Sequence, residues 1–364
     1  MKIVISGYYG FNNSGDDALL KSIINNIKEA DEKAEITVLS KNPKETKKGF
    51  GVNAVGRYNP FAVLYKIATC DVVISGGGSL IQDATSTKSL YYYLSIIKMA
   101  KMFRRKVMLY ANGIGPLTSF KNIEKTKNVL NEVDVITLRD EMSFKEIEQI
   151  GINQPEIKVT ADPAFLLEAD NSGDDILETY GIPKDKKLLC VSVRKFKHNI
   201  PNFEDVMAQF CDYAAEKYDL FTVFLPMQQR VDYGISAAIK NKMKSRGVII
   251  GGNNQVSSIL SLMNKMHVCV GMRLHTLIYA SSQGVPVVGI VYDPKVSGFL
   301  EYLNIEDPMR AEDVSFEKLC ENLDKVCENY DSVSFDLKYN VRLLRVKAQE
   351  NVEYLKTLLS GGKK

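Results

Sequence analysis

The chain has 364 residues, a formal net charge of +3 and 45% hydrophobic residues. This length is enough for two domains of ordinary size, and the small net charge argues against a broad nucleic-acid-binding surface. No apolar run approaches the roughly 20 residues of a membrane span, and the amino terminus lacks the apolar core of a signal peptide. We therefore expect a cytoplasmic protein, free or peripheral on the inner face of the cell membrane.

The six cysteines form no C-x-x-C pair and mostly lie in apolar runs. They indicate buried thiols in a reducing compartment. The chain has three histidines and offers no convincing metal-binding cluster, so we predict neither a metal nor a cofactor. His198 and His267 are expected to be structural or surface residues.

The first predicted strand, residues 2–6, runs into a glycine-rich loop, residues 7–17, that opens a helix. A loop of this kind lets backbone amides approach an anion or a sugar. It has neither the G-x-G-x-x-G spacing of a dinucleotide site nor the Gly-Lys-Ser/Thr of a Walker loop. Asp16 and Asp17 of this loop are candidate functional residues. The alternative is a structural role, because acids in the first turn of a helix complement its dipole. Two further side chains of the loop are candidate sugar ligands, Tyr9 and Asn13.

Three consecutive glycines follow the predicted strand of residues 71–75. Glycines at the end of a strand cost conformational entropy unless the backbone must pass close to something. This pattern favours a ligand-binding loop over a plain turn. The candidate ligand groups are the backbone at Gly77 and Gly78 and the side chains of Gln82 and Asp83, which could hydrogen-bond sugar hydroxyls.

A long helix is predicted from Lys88 to Lys106, and it combines apolar residues with a run of lysines and arginines. Lys98, Lys101 and Arg105 share one face at helical spacing. Basic residues near an anionic leaflet are each worth about 1 kcal/mol, so this face predicts weak peripheral contact with a membrane. The alternative is an ordinary surface helix whose lysines are solvated.

Two further predicted strands end in candidate site residues. The strand of residues 107–110 leads into a glycine-rich segment that begins at Asn112, a candidate sugar ligand. The strand of residues 135–138 is followed by Arg139, a candidate anion ligand at a strand–helix junction. The alternative for Arg139 is an ion pair with one of the two acids that follow it.

Arginine, histidine and lysine follow two neighbouring apolar strands in the second half of the chain. Arg273 and His275 come after the run 268–271, and Lys295 comes after the run 287–290. Loops after parallel strands open on one edge of the sheet, where ligands of α/β sheets bind. A guanidinium, an imidazole and an ammonium there predict a site for a small, multiply charged anion, such as one with a phosphate and a carboxylate.

Each of these three side chains also has a plainer explanation. His275 could be a structural histidine at the start of a helix. Arg273 could form a buried pair with an acid under the sheet. Lys295 could be a solvated loop lysine.

The alternation of apolar strands with helices predicts an α/β fold. We expect two Rossmann-like open parallel-sheet domains that face a cleft, in the arrangement of GT-B glycosyltransferases. The first domain is predicted at residues 1–169 and the second at residues 188–364, with a linker at 170–187. The last helix, residues 335–359, is expected to pack back on the first domain.

The motifs together resemble those of polysaccharide pyruvyltransferases, most closely the CsaB type, which ketalises the secondary cell-wall polymer of Gram-positive bacteria. The resemblance extends from Gly7 to about Leu300 and rests on the order and spacing of motifs that are individually short. The motifs are Gly7-Tyr8-Tyr9-Gly10 with Asn13-x-Gly15-Asp16, Gly76-Gly77-Gly78, Gly113-x-Gly115-Pro116, Arg139-Asp140, Asp162-Pro163-Ala164-Phe165 and Met272-Arg273-Leu274-His275.

The resemblance implies a twin-domain fold and the transfer of pyruvate from phosphoenolpyruvate. The acceptor would be a lipid-diphosphate-linked disaccharide that ends in N-acetylmannosamine, and the product a 4,6-pyruvate ketal used in S-layer anchoring. By the same resemblance Arg139, His275 and Lys295 would bind the donor, and the charge pattern adds Arg273. The residues expected to bind the acceptor are Tyr9, Asn13, Gly77, Gly78, Gln82, Asp83 and Asn112.

This reaction needs an acid that protonates the methylene carbon of the donor and a base that accepts a hydroxyl proton. It also needs cations that hold the carboxylate and stabilise the leaving phosphate, which the four donor-binding side chains can supply. The predicted catalytic residues are Asp16, Asp17 and His275.

Two other functions share parts of the pattern. A nucleotide-sugar-dependent glycosyltransferase of cell-wall polymer synthesis would have the same fold. Such enzymes usually hold a ribose with an acid, where this chain has arginine, histidine and lysine. A non-catalytic sugar-polymer-binding protein would need aromatic platforms, and the chain has no tryptophan.

Overall fold

A computed structural model describes four stretches of the chain, residues 1–195, 202–252, 254–305 and 308–361. His198 lies outside the described residues. The chain divides into two units, one of Met1–Leu167 together with Leu344–Lys364 and one of Glu168–Leu343. Each unit is built on a sheet whose paired strands run parallel. The predicted class of two parallel-sheet α/β domains is confirmed.

The first unit alternates strands and helices. Its strands are β1 (Lys2–Ser6), β2 (Glu35–Ser40), β3 (Asn53–Gly56), β4 (Val72–Ser75), β5 (Gly78–Ile81), β6 (Lys106–Ile114), β7 (Val135–Leu138) and β8 (Glu156–Val159). Its helices are α1 (Ser14–Ala30), α2 (Pro43–Phe50), α3 (Pro60–Thr69), α4 (Thr87–Met102), α5 (Phe120–Leu130) and α6 (Glu141–Ile150), with a 3-10 turn at Pro163–Leu166.

The strands of this sheet pair in the order β3-β2-β1-β4-β6-β7-β8, and β5 pairs with β6. The winding direction therefore reverses between β1 and β4, and ligands of open α/β sheets bind beyond the carboxyl ends at such a reversal. The central strands are apolar because helices cover both faces. All four residues of β4 are buried, and Leu20 and Ile23 of α1 lie in one cluster with Ile3 and Ile5 of β1.

The second unit repeats this design. Its strands are β9 (Lys187–Ser192), β10 (Leu220–Phe224), β11 (Gly247–Ile249), β12 (Val268–Gly271), β13 (Val287–Val291) and β14 (Met309–Arg310). Its helices are α7 (Gly173–Thr179), α8 (Phe203–Tyr218), α9 (Gln229–Lys242), α10 (Val256–Met263), α11 (Leu274–Ser282), α12 (Pro294–Tyr302) and α13 (Phe316–Glu328), with a 3-10 turn at Ala311–Asp313. The strands pair in the order β11-β10-β9-β12-β13-β14, so the reversal lies between β9 and β12.

The last helix, α14 (Tyr330–Leu359), begins in the second unit and ends in the first. In the first unit, Leu355 belongs to the core cluster of β1. The buried Asn351 accepts a hydrogen bond from Thr160 Oγ1 at 2.9 Å and donates one to the carbonyl of Ala161 at 3.1 Å. These contacts satisfy a polar group that would be costly to bury alone.

The segment 170–187, the predicted linker, carries α7 and packs on α10. The backbone nitrogen of Gly173 donates to Ser261 Oγ at 2.8 Å. A Cβ at Gly173 would come within 2.8 Å of the Ser261 carbonyl oxygen, so the close contact requires glycine. An ion pair of 2.8 Å between Lys265 and Asp174 adds to this contact.

Two predicted glycine loops are strands instead. β6 continues through Asn112 to Ile114, and β5 begins at Gly78. Both differences have one cause, because Gly78 pairs with Asn112 and Ile81 pairs with Ile114 across a register shift. The extended backbone of each segment is stabilised by the other, which local sequence does not reveal.

Buried thiols account for five of the six cysteines, and Cys327 is half-buried. Within the described residues, no helix combines the length and apolarity that crossing a bilayer requires. In the same part of the chain, no group of three or more His, Cys, Asp or Glu side chains is arranged to hold a metal ion.

Candidate active site

The glycine triplet after β4 packs against Tyr9. The Tyr9 side chain is fully buried, and a Cβ added to Gly76 would lie 1.8 Å from its hydroxyl oxygen. A Cβ on Gly77 would come within 3.0 Å of Leu19, and Gly78 has a φ of +95° that other residues rarely adopt. The close approach of this backbone is thus explained by the protein's own core. Because the Tyr9 ring faces that core, its placement does not support a side-chain contact with the acceptor.

Tyr9→Phe should leave the free energy of unfolding unchanged or raise it by up to about 1 kcal/mol, because the Tyr9 hydroxyl is buried without a hydrogen-bond partner among the described residues. Gly76→Ala should destabilise the protein by about 1–3 kcal/mol. The double variant should recover part of that loss, since the added methyl group meets the hydroxyl. Urea unfolding of all four proteins measures the coupling, and purely additive changes would contradict this packing.

Asn112 is also fully buried, and it holds the end of β4. Its amide nitrogen donates to the carbonyl of Ser75 at 3.0 Å and to that of Gly76 at 2.8 Å. The side chain has no exposed surface with which to meet a sugar. Asn112 therefore fixes the glycine triplet, and the burial of its side chain does not support a direct contact with the acceptor.

Gln82 and Asp83 make their contacts within the first unit. The Asp83 carboxylate accepts hydrogen bonds from the backbone of Thr118 at 2.9 Å and from Asn122 Nδ2 at 2.8 Å. Partial burial opposes the ionisation of Asp83, but the hydrogen bonds from Asn122 and Thr118 outweigh it and lower its pKa. The Gln82 amide binds Thr85 through both of its ends at 2.9 Å. Asp83 thus orders the segment before α5, a role that its sequence position does not indicate.

Asp16 and Asp17 lie in the first turn of α1, where the Asn13 side chain caps the helix by accepting a backbone hydrogen bond at 3.2 Å. Asp16 lies beside the glycine triplet, because a Cβ on Gly78 would be 3.4 Å from Asp16 Oδ1. Burial and, to a smaller extent, the charge of Glu45 raise the pKa of Asp17 to about 7. A carboxyl group with that pKa can accept or donate a proton near neutral pH.

Arg57, which follows β3, is a residue that the sequence pattern did not single out. It is 7% exposed and donates to the carbonyl of Gly7 at 3.0 Å, so it holds the start of the first glycine loop. The same loop presents Tyr8 and Phe11 as a stacked pair, with ring centroids 3.9 Å apart. Both rings are partly exposed. The exposed aromatic surface of this loop is therefore formed by Tyr8 and Phe11, whereas Tyr9 is buried.

Arg139 is buried and already paired. Its Nη2 donates to Ser79 Oγ at 2.9 Å, and its guanidinium lies 3.4 Å from Asp140 and 3.5 Å from Asp162. The pair with Asp140 is the alternative that the sequence left open. Gly113 permits this packing, because a Cβ there would be 3.0 Å from two guanidinium nitrogens. An anion that binds Arg139 must share it with two carboxylates.

In the second unit, the cations that follow β12 and β13 lie at one edge of the sheet. The two strands are parallel neighbours, with Gly271 opposite Gly289, so their carboxyl ends open on the same side. His275 is the second residue of α11 and Lys295 the second residue of α12, and both are partly exposed. The amino ends of the two helices add positive partial charge. This edge therefore favours an anion.

Asp293 caps the helix that carries Lys295. Its carboxylate accepts a hydrogen bond from the Lys295 backbone at 3.0 Å and lies 4.0 Å from Lys295 Nζ. The cap fixes the turn between β13 and α12. The position of the ammonium at the sheet edge thus follows from the structure of this turn.

Arg273 is bound to a buried acid. Its Nε donates to Asp232 Oδ2 at 3.0 Å, and its Nη2 donates to the other carboxylate oxygen. Asp232 is fully buried and also accepts from the backbone of Gln228 at 3.0 Å. This bidentate pair is the alternative that the sequence left open for Arg273. It fixes the turn between β12 and α11, directly before His275.

Arg194 is a further cation at this edge, and it was absent from the predicted site. It follows β9, the other neighbour of β12. Its Nη1 donates to Tyr292 Oη at 3.0 Å, and its guanidinium carbon lies 4.8 Å from the ring centroid. Because Tyr292 follows β13, this contact spans the ends of three neighbouring strands. The available signal was that Arg194 is the first charged residue after a buried strand.

Comparison with known protein families identifies the family of this chain. Residues 13–294 match the family model described as polysaccharide pyruvyl transferase, which is more than half of the chain. The chain belongs to the polysaccharide pyruvyl transferase family. It is therefore a transferase, and its chemistry is pyruvyl transfer in polysaccharide synthesis. Amylovoran biosynthesis protein AmsJ of Erwinia amylovora is a relative of this pyruvyl transferase, 22% identical over 86% of this chain and 88% of AmsJ.

Solved structures with the fold of this pyruvyl transferase include GT-B-like enzymes. S. aureus MnaA, solved with UDP, has a TM-score of 0.69 at 12% identity over 99% of this chain and 97% of that chain. UDP-GlcNAc 2-epimerase from Neisseria meningitidis, solved with UDP-GlcNAc, has a TM-score of 0.70 at 11% identity over 99% and 100%. Anabaena HepE, solved with UDP-glucose, has a TM-score of 0.64 at 13% identity over 99% and 98%. At these identities the likeness concerns the fold alone.

Proposed function

We propose that this pyruvyl transferase uses phosphoenolpyruvate and forms a 4,6-pyruvate ketal on a lipid-diphosphate-linked disaccharide that contains N-acetylmannosamine. The product would serve cell-wall polymer synthesis and S-layer anchoring, as in the CsaB type. The observation that carries the proposal is the cationic edge of the second unit, where Arg194, His275 and Lys295 follow three neighbouring strands. The phosphate and the carboxylate of the donor are the groups that this edge would bind.

The proposed reaction adds two sugar hydroxyl oxygens to C2 of phosphoenolpyruvate. The bond between C2 and the phosphate oxygen breaks, and phosphate leaves. One hydroxyl proton ends on C3, which turns the methylene into a methyl group, and the other leaves with the phosphate. The cations would neutralise the carboxylate and the departing phosphate.

Asp17 is the proposed site of proton transfer in this reaction. Burial and the charge of Glu45 raise its pKa to about 7, which suits a group that must exchange protons at neutral pH. Asp16 and His275 are the other predicted candidates. A pKa near the working pH favours Asp17, because both of its protonation states are then populated.

Arg139 and Arg273 are also proposed to bind phosphoenolpyruvate, as predicted, and each in addition stabilises the local structure. Arg139 and Arg273 are each bound to carboxylates of the chain, so each would act on the donor from a fixed position. Acceptor binding is proposed for the glycine loops of the first unit. There Tyr8 and Phe11 offer a partly exposed aromatic surface that a sugar ring could cover.

A nucleotide-sugar-dependent glycosyltransferase is the second candidate, because Anabaena HepE, with the same fold, was solved with UDP-glucose. The purified protein is incubated with a lipid-linked acceptor and either phosphoenolpyruvate or a UDP-sugar. Acceptor-dependent release of phosphate, with formation of a pyruvate ketal detected by mass spectrometry, is the expected result. Release of UDP without release of phosphate would favour the second candidate instead.

Alanine at His275, Lys295 or Arg194 should lower kcat/KM for phosphoenolpyruvate roughly ten- to hundredfold, because each change removes a charge-assisted contact worth ~1.5–3 kcal/mol. Initial rates at several donor concentrations measure the effect. Lys240→Ala is the matched control, since Lys240 is an exposed lysine of α9. Unchanged donor kinetics in all three site variants would refute the proposed donor edge.

A further inference from the structure

Helix α3 of the first unit exposes an aromatic face. Phe61, Leu64 and Tyr65 recur at helical spacing and are 82%, 42% and 65% exposed, and Tyr58, just before the helix, is 70% exposed. Val63, on the opposite side, lies in the core. Single exposed apolar residues are ordinary, but a contiguous set marks an interaction surface. We call Tyr58, Phe61, Leu64 and Tyr65 the α3 face.

The end of α4 lies beside the end of α3 and extends the apolar surface. Arg105 Nη2 donates to the carbonyl of Ala68, near the end of α3. Met102, the last residue of α4, and Phe103, in the turn that follows it, are 74% and 38% exposed. Arg104, which ends this turn in a left-handed conformation with a φ of 56°, is exposed as well. Apolar and basic side chains therefore occur together at this corner of the first unit.

The two segments that carry these exposed side chains contain no acidic residue, although Asp71 directly follows the first, and Asp134, outside both, is paired with a lysine of α4. Neither residues 46–70 nor residues 84–123 include an Asp or a Glu, although both include lysines and arginines. Lys66 of α3 is among them. An exposed surface of this composition is complementary to a negatively charged surface.

The contacts of α4 revise the membrane-binding face predicted from its sequence. Lys101 forms an ion pair with Asp134 at 2.9 Å, and Arg105 is bound to the backbone of α3. Of the three predicted basic residues, Lys98 is the one that is exposed. Two of the three predicted basic residues are therefore bound to other groups of the protein and are less available to a membrane than the exposed α3 face.

We propose that the α3 face, with Met102 and Phe103, docks reversibly on the anionic surface of a lipid bilayer. Aromatic side chains favour the interface between headgroups and acyl chains, and aliphatic ones enter it. Lys66 and Arg104 would meet the anionic headgroups. The proposal rests on the proposed function only for the purpose of membrane binding, which is access to an acceptor whose lipid lies in the membrane.

The combination of charges and apolar groups selects a bilayer over other polyanions. A nucleic acid would match the basic residues, but its backbone offers no apolar environment to Leu64 and Met102. A bilayer accommodates both kinds of group at once. Its anionic headgroups also lie in one plane, as does a row of side chains along one face of a helix.

The test is flotation of the full-length protein with vesicles of phosphatidylglycerol and phosphatidylcholine, compared with vesicles of phosphatidylcholine alone. We expect binding to the anionic vesicles that weakens with salt. The double variant Phe61→Ser/Tyr65→Ser should bind at least about tenfold more weakly, and Arg104→Gln about fivefold. Phe335→Ser removes a similarly exposed ring of α14, 72% exposed, and should bind like the parent.

Three results would overturn the proposal: equal binding of the parent and the double variant, no binding to anionic vesicles at low salt, or a loss of binding in Phe335→Ser alone. Self-association that the double variant abolishes, without vesicle binding, would assign the α3 face to a protein contact. Urea unfolding should be the same for all variants, because the changed side chains are exposed. Flotation needs no turnover, so vesicle binding with no use of phosphoenolpyruvate would count against the proposed function alone.

Discussion

Asp17→Asn is expected to lower kcat about 10²–10⁴-fold, the usual contribution of a general acid or base. Asparagine keeps the size and the hydrogen-bonding capacity of the side chain and removes the titrating proton. In the parent, kcat should change with pH around the Asp17 pKa of about 7, rising with pH if Asp17 acts as a base and falling if it acts as an acid. The pH profile of the variant should lack that limb.

Glu45→Gln is the control that separates proton transfer from helix capping. The charge of Glu45 helps to raise the pKa of Asp17, so its removal should move the pH limb to lower pH. The plateau rate should stay the same. An Asp17 that only caps α1 would give no such displacement, and an unmoved limb would therefore refute its role in proton transfer.

The Asp17→Asn substitution should also stabilise the protein at high pH. A folded-state pKa raised from 3.8 to about 7 means that the native state binds more protons than the unfolded state between these values. Stability of the parent therefore falls as pH rises through this range, whereas that of Asp17→Asn does not. We expect the variant to gain on the order of 4 kcal/mol at pH 8 and little at pH 4. Loss of both activity and stability at pH 8 would indicate a structural role instead.

Asp232→Ala is expected to lower the free energy of unfolding by about 3–5 kcal/mol, because it leaves the Arg273 guanidinium in a largely buried site without its carboxylate. Arg273→Lys should also destabilise the protein, since an ammonium cannot reproduce the two parallel hydrogen bonds. Urea unfolding measures both changes. A loss below about 1 kcal/mol in both variants, the value of an exposed pair, would show that the pair contributes little.

The double variant Asp232→Leu/Arg273→Met separates stability from function. Replacing a buried ion pair by apolar residues of similar size is often neutral for stability, so most of the loss in Asp232→Ala should be recovered. Donor use should still be impaired, because Arg273 both carries charge and fixes the turn before His275. Recovery of kcat/KM for phosphoenolpyruvate together with stability would mean that Arg273 has no part in the reaction.

The amino-acid sequence by itself determined the fold class and the edges of the sheets at which the site residues lie. Strands covered on both faces must be apolar throughout, so β4, β9 and β12 are recognisable without knowledge of their neighbours. Parallel strands all end at the same edge of their sheet, so a charged residue after such a run lies near a ligand edge. Arg273, His275 and Lys295 were predictable for this reason. Arg194 also follows an apolar strand, and its hydrogen bond to Tyr292 places it at the same edge of the sheet.

Only the tertiary structure decided which of these side chains already have partners in the chain. Asp232 is 41 residues from Arg273, and the Tyr9 ring reaches Gly76 from another strand end. Asp16 and Asp17 are adjacent, yet the pKa of about 7 belongs to Asp17, through burial and through the charge of Glu45 on α2. Periodicity specifies which face of an element is buried. The strand order, which brings distant segments together, then specifies what that face is buried against.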